Sequence, residues 1–114
     1  MNHLTIHKNH LEHTRKVLKP FIHNTPVITS SILDDISGST LLFKCECLQK
    51  TGSFKIRGAT NAVLSLTDAE KKKGVVTHSS GNFAQALAFA ATNQGIRSWI
   101  VMPENAPKSK KDAV

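Results

Sequence analysis

The clearest hydrophobic pattern lies in the second half of the chain, where two short apolar runs flank a helical stripe. Residues 75–78 (VVTH) and 98–102 (SWIVM) are typical of buried strands. Between them, apolar side chains recur at helical spacing until Gly95, which marks a helix end (Ala84, Leu87, Ala88, Ala91). Strand, helix and strand in this order predict a right-handed, parallel βαβ unit.

The first half predicts helices and one longer strand. Residues 8–22 have the spacing of an amphipathic helix that ends near a proline. Residues 25–33 begin as an extended segment and continue as a short helix, which either Ser30 or Ser31 could cap. Thr40 to Leu48 alternates in the manner of a strand. Together with the βαβ unit, these elements predict an α/β fold.

A second helical stripe follows Gly52 (Phe54, Ile56, Ala59, Ala62, Val63, Leu66). Ser53 is a candidate N-cap, which places Lys55 in the first turn. The partial positive charge of a helix N-terminus disfavours an ammonium group, and burial acts in the same direction, so both favour the neutral amine of Schiff-base chemistry. Lys55 is therefore a candidate nucleophile, with an ordinary solvated lysine as the alternative.

Shorter signals complete the pattern. Residues 67–70 (TDAE) predict a capped turn that Gly74 ends. Pro107 precedes what resembles the start of a further helix. Cys45 and Cys47 lack the usual metal-ligand spacings, so we expect them to be reduced packing residues.

Composition narrows the class of protein. A chain of 114 residues with 39% hydrophobic content predicts one soluble domain with a modest core, or a piece of a larger protein. No segment is apolar for long enough to span a membrane, and residues 1–13 lack a signal-peptide core, which favours a cytoplasmic protein. The net charge of +7 suggests nucleic-acid binding as one possible function. The basic clusters lack interleaved aromatic residues, however, which favours a solvated surface instead.

Four histidines near the amino terminus are spaced so that several could share a helical face (His3, His7, His10, His13). A metal site there would need a fixed geometry that a chain terminus rarely supplies. We therefore expect surface histidines and predict no metal site.

Two motifs carry a resemblance to a known family. Residues 52–59 (GSFKIRGA) resemble the pyridoxal-phosphate lysine motif of the serine racemase and threonine dehydratase family. Residues 79–82 (SSGN), followed by Gln85, resemble the asparagine loop of that family, although such a turn alone is more often a helix cap. This loop follows a predicted strand, at the edge of a parallel sheet where ligands bind.

The resemblance implies the fold-type-II, tryptophan-synthase-β-like architecture, a three-layer αβα parallel sheet, of which this chain has an incomplete amino-terminal part. Residues 1–66 would form the cofactor-lysine region and residues 67–114 the βαβ unit of the small domain. Lys55 would hold pyridoxal 5'-phosphate as a Schiff base and serve as the first base, with Ser80 as the second base on the opposite face. Phe54 and Asn82 would contact the cofactor.

The implied activity is racemisation of serine, or dehydration of L-serine or L-threonine to a keto acid and ammonia, by a homodimer. Ser80 favours a racemase with dehydratase side activity. Similarity to eukaryotic serine racemases also implies a nucleotide effector such as ATP, and a divalent cation such as Mg²⁺ whose ligands lie outside this chain. The nucleotide residues would be Glu12, Ser30, Ser31, Ile32, Lys50, Thr51 and Gln85.

Two features depart from the family pattern. Phe83 stands where the family most often has histidine, and the six glycines are isolated, so no glycine-rich phosphate loop is visible. The alternative is therefore a truncated, catalytically inactive chain that at most associates with a full-length subunit.

Overall fold

A computed structural model describes residues 6–114, and the fold in this range consists of short strands and helices. Two 3₁₀ turns, Glu46–Leu48 and Lys50–Gly52, connect the first half to the second. No helix among residues 6–114 combines the length and the apolar composition needed to cross a membrane. The elements are α1 (Lys8–Leu18), β1 (Val27–Ile28), α2 (Ser31–Ser37), β2 (Phe43–Lys44), α3 (Lys55–Leu64), α4 (Asp68–Lys73), β3 (Val75–His78), α5 (Asn82–Asn93), β4 (Ser98–Val101) and α6 (Lys108–Asp112).

The strands form two separate two-stranded sheets. β1 and β2 pair antiparallel, with Val27 opposite Lys44. β3 and β4 pair parallel, with Val75 opposite Ser98. The predicted parallel strand–helix–strand unit is therefore confirmed.

One hydrophobic core joins α3 and α5, which pack against each other. Ile56 and Val63 of α3 are fully buried, and α5 meets them mostly with alanines, which let the two helices approach closely. α5 also contacts β3 and β4, so this helix lies between α3 and the parallel sheet. The core residues are Ile56, Ala59, Val63, Ala86, Leu87, Ala90, Ala91 and Ile96.

Helices cover only one face of the β3–β4 sheet within the described range. Val75 and Ile100 pack against the core, whereas Val76, Trp99 and Val101 on the opposite face are 70%, 47% and 54% exposed. The expectation of strands buried on both faces is therefore wrong for residues 6–114. Apolar side chains at alternate positions of these strands point to a face that no described element covers. Residues 6–114 therefore form two layers of the three-layer arrangement, the parallel strands and the helices on one face of them.

Two predicted elements are shorter than their sequence patterns. α1 ends at Leu18 and not at residue 22, because Pro20 has no N–H to donate to the carbonyl of Lys16 and its ring crowds that carbonyl. The strand predicted from Thr40 to Leu48 is reduced to two residues. Its partner β1 is equally short, and the chain then turns into the 3₁₀ segment that contains Glu46.

Three helix-terminus predictions are confirmed. The Ser30 hydroxyl accepts a hydrogen bond from the Leu33 N–H at 3.4 Å and caps α2. Thr67 and Glu70 form a complete capping box at α4, which ends at Gly74, and the hydroxyl and N–H of Thr67 lower the pKa of the Glu70 carboxyl. At the end of α5, the Ile96 N–H donates to the Ala91 carbonyl and Gly95 adopts a positive φ of 65°, which is a Schellman motif.

Two other predictions are wrong, namely the N-cap role of Ser53 and the packing role of Cys47. Phe54, and not Ser53, is the N-cap of α3, because Ser53 lies one residue too early and remains extended. Cys47 is exposed and does not pack in the core, because it lies in a 3₁₀ turn in place of the predicted strand. Cys45 is half-buried, and both cysteines are free thiols.

Candidate functional site

The loop that leads into α3 is anchored by one buried glutamine. The Gln49 side chain accepts a hydrogen bond from the His23 N–H and donates one to the His23 carbonyl, both at 2.8 Å. It also accepts a bond from the Lys50 N–H at 2.9 Å. Because these bonds occupy both ends of the amide, they fix the start of the loop against the segment after α1.

The same loop contains backbone strain and unsatisfied hydroxyl groups. Thr51 has φ 62° and ψ 14°, a left-handed conformation that a β-branched residue rarely adopts. Within residues 6–114, the buried hydroxyl oxygens of Thr51 and Ser53 have no hydrogen-bond partner. Strain and unsatisfied polar atoms in native structures concentrate at ligand sites, which makes this loop a candidate for one.

Lys55 is the first residue of α3, as the sequence predicts for the first turn. Its side chain is exposed, in contrast to the burial considered above, because no described element lies over the N-terminus of α3. The Lys55 Nζ lies 4.9 Å from the centroid of the Phe54 ring, which is also exposed. Among residues 6–114 no carboxylate forms a salt bridge with Lys55, so the amine is accessible to a carbonyl compound.

An ion pair holds the first turn of α3 to the first of the two 3₁₀ turns, Glu46–Leu48. Arg57 Nε and Nη2 donate to the two carboxylate oxygens of Glu46 at 2.8 and 2.7 Å, and the Thr25 hydroxyl donates to the same carboxylate at 2.5 Å. The hydrogen bonds from Arg57 lower the pKa of Glu46 to about 2, although partial burial opposes the shift. This bidentate contact fixes the helix turn that carries Lys55.

The serine–asparagine loop lies at the carboxyl end of β3, as the sequence predicts. Ser80 is exposed, and Asn82 is the first residue of α5. Lys110 of α6 donates to the side-chain oxygen of Asn82 at 2.8 Å and contacts that of Gln85 at 3.4 Å. An ammonium group only donates, so this contact directs the Asn82 oxygen toward Lys110 and leaves the Asn82 NH₂ free to donate elsewhere.

Sequence reasoning missed the contributions of Lys110 and Glu46. Lys110 lies 28 residues from Asn82, and Glu46 lies 11 residues from Arg57. Neither residue belongs to the two motifs, and no short-range pattern connects them to their partners.

The seven candidate nucleotide residues are distributed over four places. Glu12 lines a cavity beside α1, and Gln85 contacts Lys110. Lys50 and Thr51 lie in the second 3₁₀ turn, which contacts α5. Ser30 caps α2, followed by Ser31 and the exposed Ile32. Of these residues, only Glu12 lines the cavity beside α1, and none lines the cavity formed by His10, His13 and Asn61. The nucleotide site remains a prediction.

The described histidines near the amino terminus are on the surface. His7, His10 and His13 are exposed, and the rings of His7 and His10 meet edge to face with centroids 5.6 Å apart. His3 lies outside the described residues. In the part of the chain that the structure describes, no three His, Cys, Asp or Glu side chains lie close enough to share a metal ion.

The side chains present fit one end of the implied cofactor. Lys55 offers an accessible amine for an aldehyde, and Asn82 offers a free amide N–H for a ring oxygen. The buried hydroxyls of Thr51 and Ser53, which precede Lys55 in the chain, have no hydrogen-bond partner among residues 6–114. A backbone cradle for the phosphate group is not formed by the isolated glycines of this chain.

Comparisons with known proteins agree with the two motifs. The model of the family described as "Pyridoxal-phosphate dependent enzyme" matches residues 18–114. Serine racemase of Arabidopsis thaliana is 63% identical over 97 residues, which cover 85% of this chain and 29% of the relative. The structure of maize serine racemase has a TM-score of 0.87 at 49% identity, over 93% of this chain and 32% of that one. The processed form of threonine deaminase isoform 2 from Solanum lycopersicum has a TM-score of 0.79 at 32% identity, over 95% of this chain and 31% of that one.

The chain spans about a third of the length of these relatives or less. Its fold is that of the amino-terminal part of a fold-type-II enzyme, with small sheets in place of the whole one. The family match covers most of the chain and includes both motifs. The chain therefore belongs to the pyridoxal-phosphate dependent enzyme family, with serine racemases and threonine deaminases among its relatives.

Proposed function

We propose that this chain carries the cofactor lysine and the active-site serine of an enzyme that racemises or dehydrates L-serine or L-threonine. The observation that carries the proposal is the accessible, unpaired amine of Lys55 at the first position of α3, directly after a strained loop with two unpartnered hydroxyls among residues 6–114. The names of the relatives, which include both a serine racemase and a threonine deaminase, support the same substrate class.

In this proposal Lys55 has two tasks. Its Nζ would hold the aldehyde carbon of pyridoxal phosphate until the amino acid substrate binds. The bound cofactor acts as an electron sink that makes the α-proton of the amino acid removable. The Lys55 amine would accept that proton from one face, as a positioned general base. Asn82 would donate its amide N–H to the cofactor ring oxygen, and Phe54 would contact the cofactor beside Lys55.

The Ser80 hydroxyl distinguishes racemisation from dehydration in this proposal. A proton delivered by its hydroxyl to the face opposite Lys55 gives the other enantiomer. Loss of the β-hydroxyl gives an enamine, which water hydrolyses to a keto acid and ammonia, and this route needs only the lysine base. A serine hydroxyl is by itself a weak acid and a weak base, so a relay group must return the proton that Ser80 delivers. The homodimer, the divalent cation and the nucleotide effector remain parts of this proposal.

The test is borohydride reduction of the 114-residue chain with pyridoxal phosphate, followed by peptide mass mapping. We expect stoichiometric pyridoxyl label on Lys55. Lys55→Ala should abolish this label, whereas Lys50→Ala, which removes a neighbouring lysine of the same loop, should leave it unchanged. Label scattered over Lys50, residues 71–73 and residues 108–111, or no label at all, would contradict the role of Lys55.

A second candidate function is that of an inactive chain that associates with a longer subunit of the family. The open apolar face of β3 and β4, with Val76, Trp99 and Val101, favours it. Size-exclusion chromatography with a full-length family member should then show co-elution that Val76→Lys abolishes. Stoichiometric Lys55 labelling together with serine turnover, in the absence of any other subunit, would contradict this alternative.

A further inference from the structure

A cavity of about 530 Å³ lies between α1, the turn that follows it and the side chain of Arg57 on α3. Neither Lys55 nor Asn82 lines this cavity, so it is separate from the proposed cofactor site. Its volume falls in the range of roughly 300–1,000 Å³ that is typical of small-molecule sites. The cavity is therefore large enough for a ligand that the proposed function does not use.

The lining of this cavity is strongly cationic. Arg15, Lys16, Lys19 and Arg57 line it, and Glu12 is the one carboxylate among the lining residues. Glu46 is not a lining residue, but it pairs with Arg57 and offsets one of these charges, so four cations against two carboxylates leave an excess of two positive charges. Glu12 also pairs with Lys8 at 3.7 Å, which reduces its repulsion of an anion. The local charge therefore favours an anionic ligand with two or more negative charges.

Arg57 is already fixed in position for such a ligand. A guanidinium group has five N–H donors in a planar fork, and Glu46 takes one from Nε and one from Nη2. Three donors, including both of Nη1, remain for a second partner. Because Glu46 holds the guanidinium in place, binding an anion requires less loss of side-chain freedom than at a free arginine.

The cations of α1 have a simpler local role, but it does not explain the cavity. Arg15 and Lys16 lie in the last turn of α1, where positive charge complements the negative end of the helix dipole. Lys19 follows one turn after Arg15 and is therefore on the same face of the helix. The helix dipole gives no reason for Arg57 of another helix to line the same cavity.

We propose that this cavity binds a small polyanion with a diphosphate group. Guanidinium groups recognise phosphate oxygens through pairs of parallel hydrogen bonds, and a diphosphate carries enough negative charge to balance an excess of two positive charges. The ligand is either inorganic pyrophosphate or the diphosphate of a phosphorylated metabolite. This site shares only Glu12 with the nucleotide residues implied by the resemblance.

The test is isothermal titration of the chain, free of pyridoxal phosphate, with sodium pyrophosphate. We expect saturable binding to one site. The double substitution Arg15→Gln/Lys19→Gln should weaken it at least tenfold, whereas Lys72→Gln/Lys73→Gln, which removes the same charge from exposed positions of α4, should change it less than twofold. Circular dichroism checks that the variants keep their helices, and Lys55→Ala should bind pyrophosphate like the original chain.

Titrations with ADP and with adenosine distinguish the two sources of the diphosphate. ADP that binds at least as tightly as pyrophosphate, with no binding of adenosine, indicates a phosphorylated metabolite. Binding of pyrophosphate alone indicates the free anion. The proposal is overturned by an absence of saturable binding, by equal losses in the two charge-matched variants, or by adenosine that binds as tightly as ADP.

Discussion

Arg57 and Glu46 form a bidentate ion pair, at 2.8 and 2.7 Å, across a 3₁₀ turn and the loop before α3. The pair connects the proposed cofactor lysine to the basic cavity. Lys55 lies two residues before Arg57 on the same helix, and the remaining donors of Arg57 belong to the cavity lining. One charge pair therefore stabilises the geometry that both proposals use.

This pair predicts a specific dependence of stability on acid. Since the pKa of Glu46 is lowered to about 2 in the folded chain, the carboxylate stabilises the fold at pH values above its ordinary pKa of 4.5. The contribution is lost as the pH falls from about 4.5 toward about 2. Glu46→Gln should cost about 1.5–3 kcal/mol of unfolding free energy at about pH 7 and flatten the dependence between about pH 5 and 2. Urea titrations at a series of pH values measure both effects.

The control for this substitution is Glu104→Gln, which changes an exposed carboxylate that forms no salt bridge among residues 6–114. It should leave the pH dependence unchanged. An equal flattening in Glu104→Gln would show that overall charge, and not the ion pair, causes the acid sensitivity.

Gly74 should not tolerate any side chain. It has φ 82° and ψ −173°, a conformation that only glycine adopts readily. A Cβ atom would also lie 2.5 Å from the Arg97 carbonyl oxygen and 2.6 Å from the Trp99 ring. Gly74→Ala should therefore lower the unfolding free energy by more than about 2 kcal/mol, as measured in urea.

Gly95→Ala is the matched control, because it measures the cost of backbone strain without a steric clash. Gly95 has φ 65°, but no atom lies within 4 Å of a Cβ atom added there. Its substitution should cost only the strain of the left-handed conformation, about 1 kcal/mol. If both substitutions cost the same, the contact with Arg97 and Trp99 does not restrict position 74.

Ile56 should make one of the largest single contributions to stability. Its side chain is fully buried between α3 and α5, and truncation to alanine would leave a cavity where two helices pack closely. Ile56→Ala should cost about 2–5 kcal/mol in urea unfolding. Ile36→Ala, at a position that is 78% exposed, should cost less than about 0.5 kcal/mol. A loss of similar size at both positions would refute the assignment of the core.

Lys110 should connect α6 to α5. Its ammonium contacts the side chains of Asn82 and Gln85, whereas Lys108 pairs with Asp112 of its own helix. Lys110→Ala should speed amide hydrogen exchange in α6 several-fold, because short helices depend on tertiary contacts. Lys108→Ala removes an equal charge and should have a smaller effect. Equal exchange rates in the two variants would exclude the connection through Asn82.

The sequence determined much of the local structure and the family. Capping residues, Gly74 and Gly95 located helix ends, because these ends depend on interactions among residues a few positions apart. The motif around Lys55 and the loop before Asn82 identified the family, since both are contiguous in the chain. The order of strand, helix and strand predicted the parallel pair for the same reason.

Tertiary structure decided what depends on distant partners. The strand predicted from Thr40 to Leu48 is short because its antiparallel partner has only two residues. The alternation of apolar and polar residues within one strand contains no information about the length of its partner. The exposure of Lys55 and the open face of the parallel sheet depend on which elements pack over them. The Arg57–Glu46 pair, the Lys110 contact and the cationic cavity combine residues from separate elements. Hydrophobic periodicity reports the environment of each element, whereas contacts between polar side chains depend on how the elements are arranged in space.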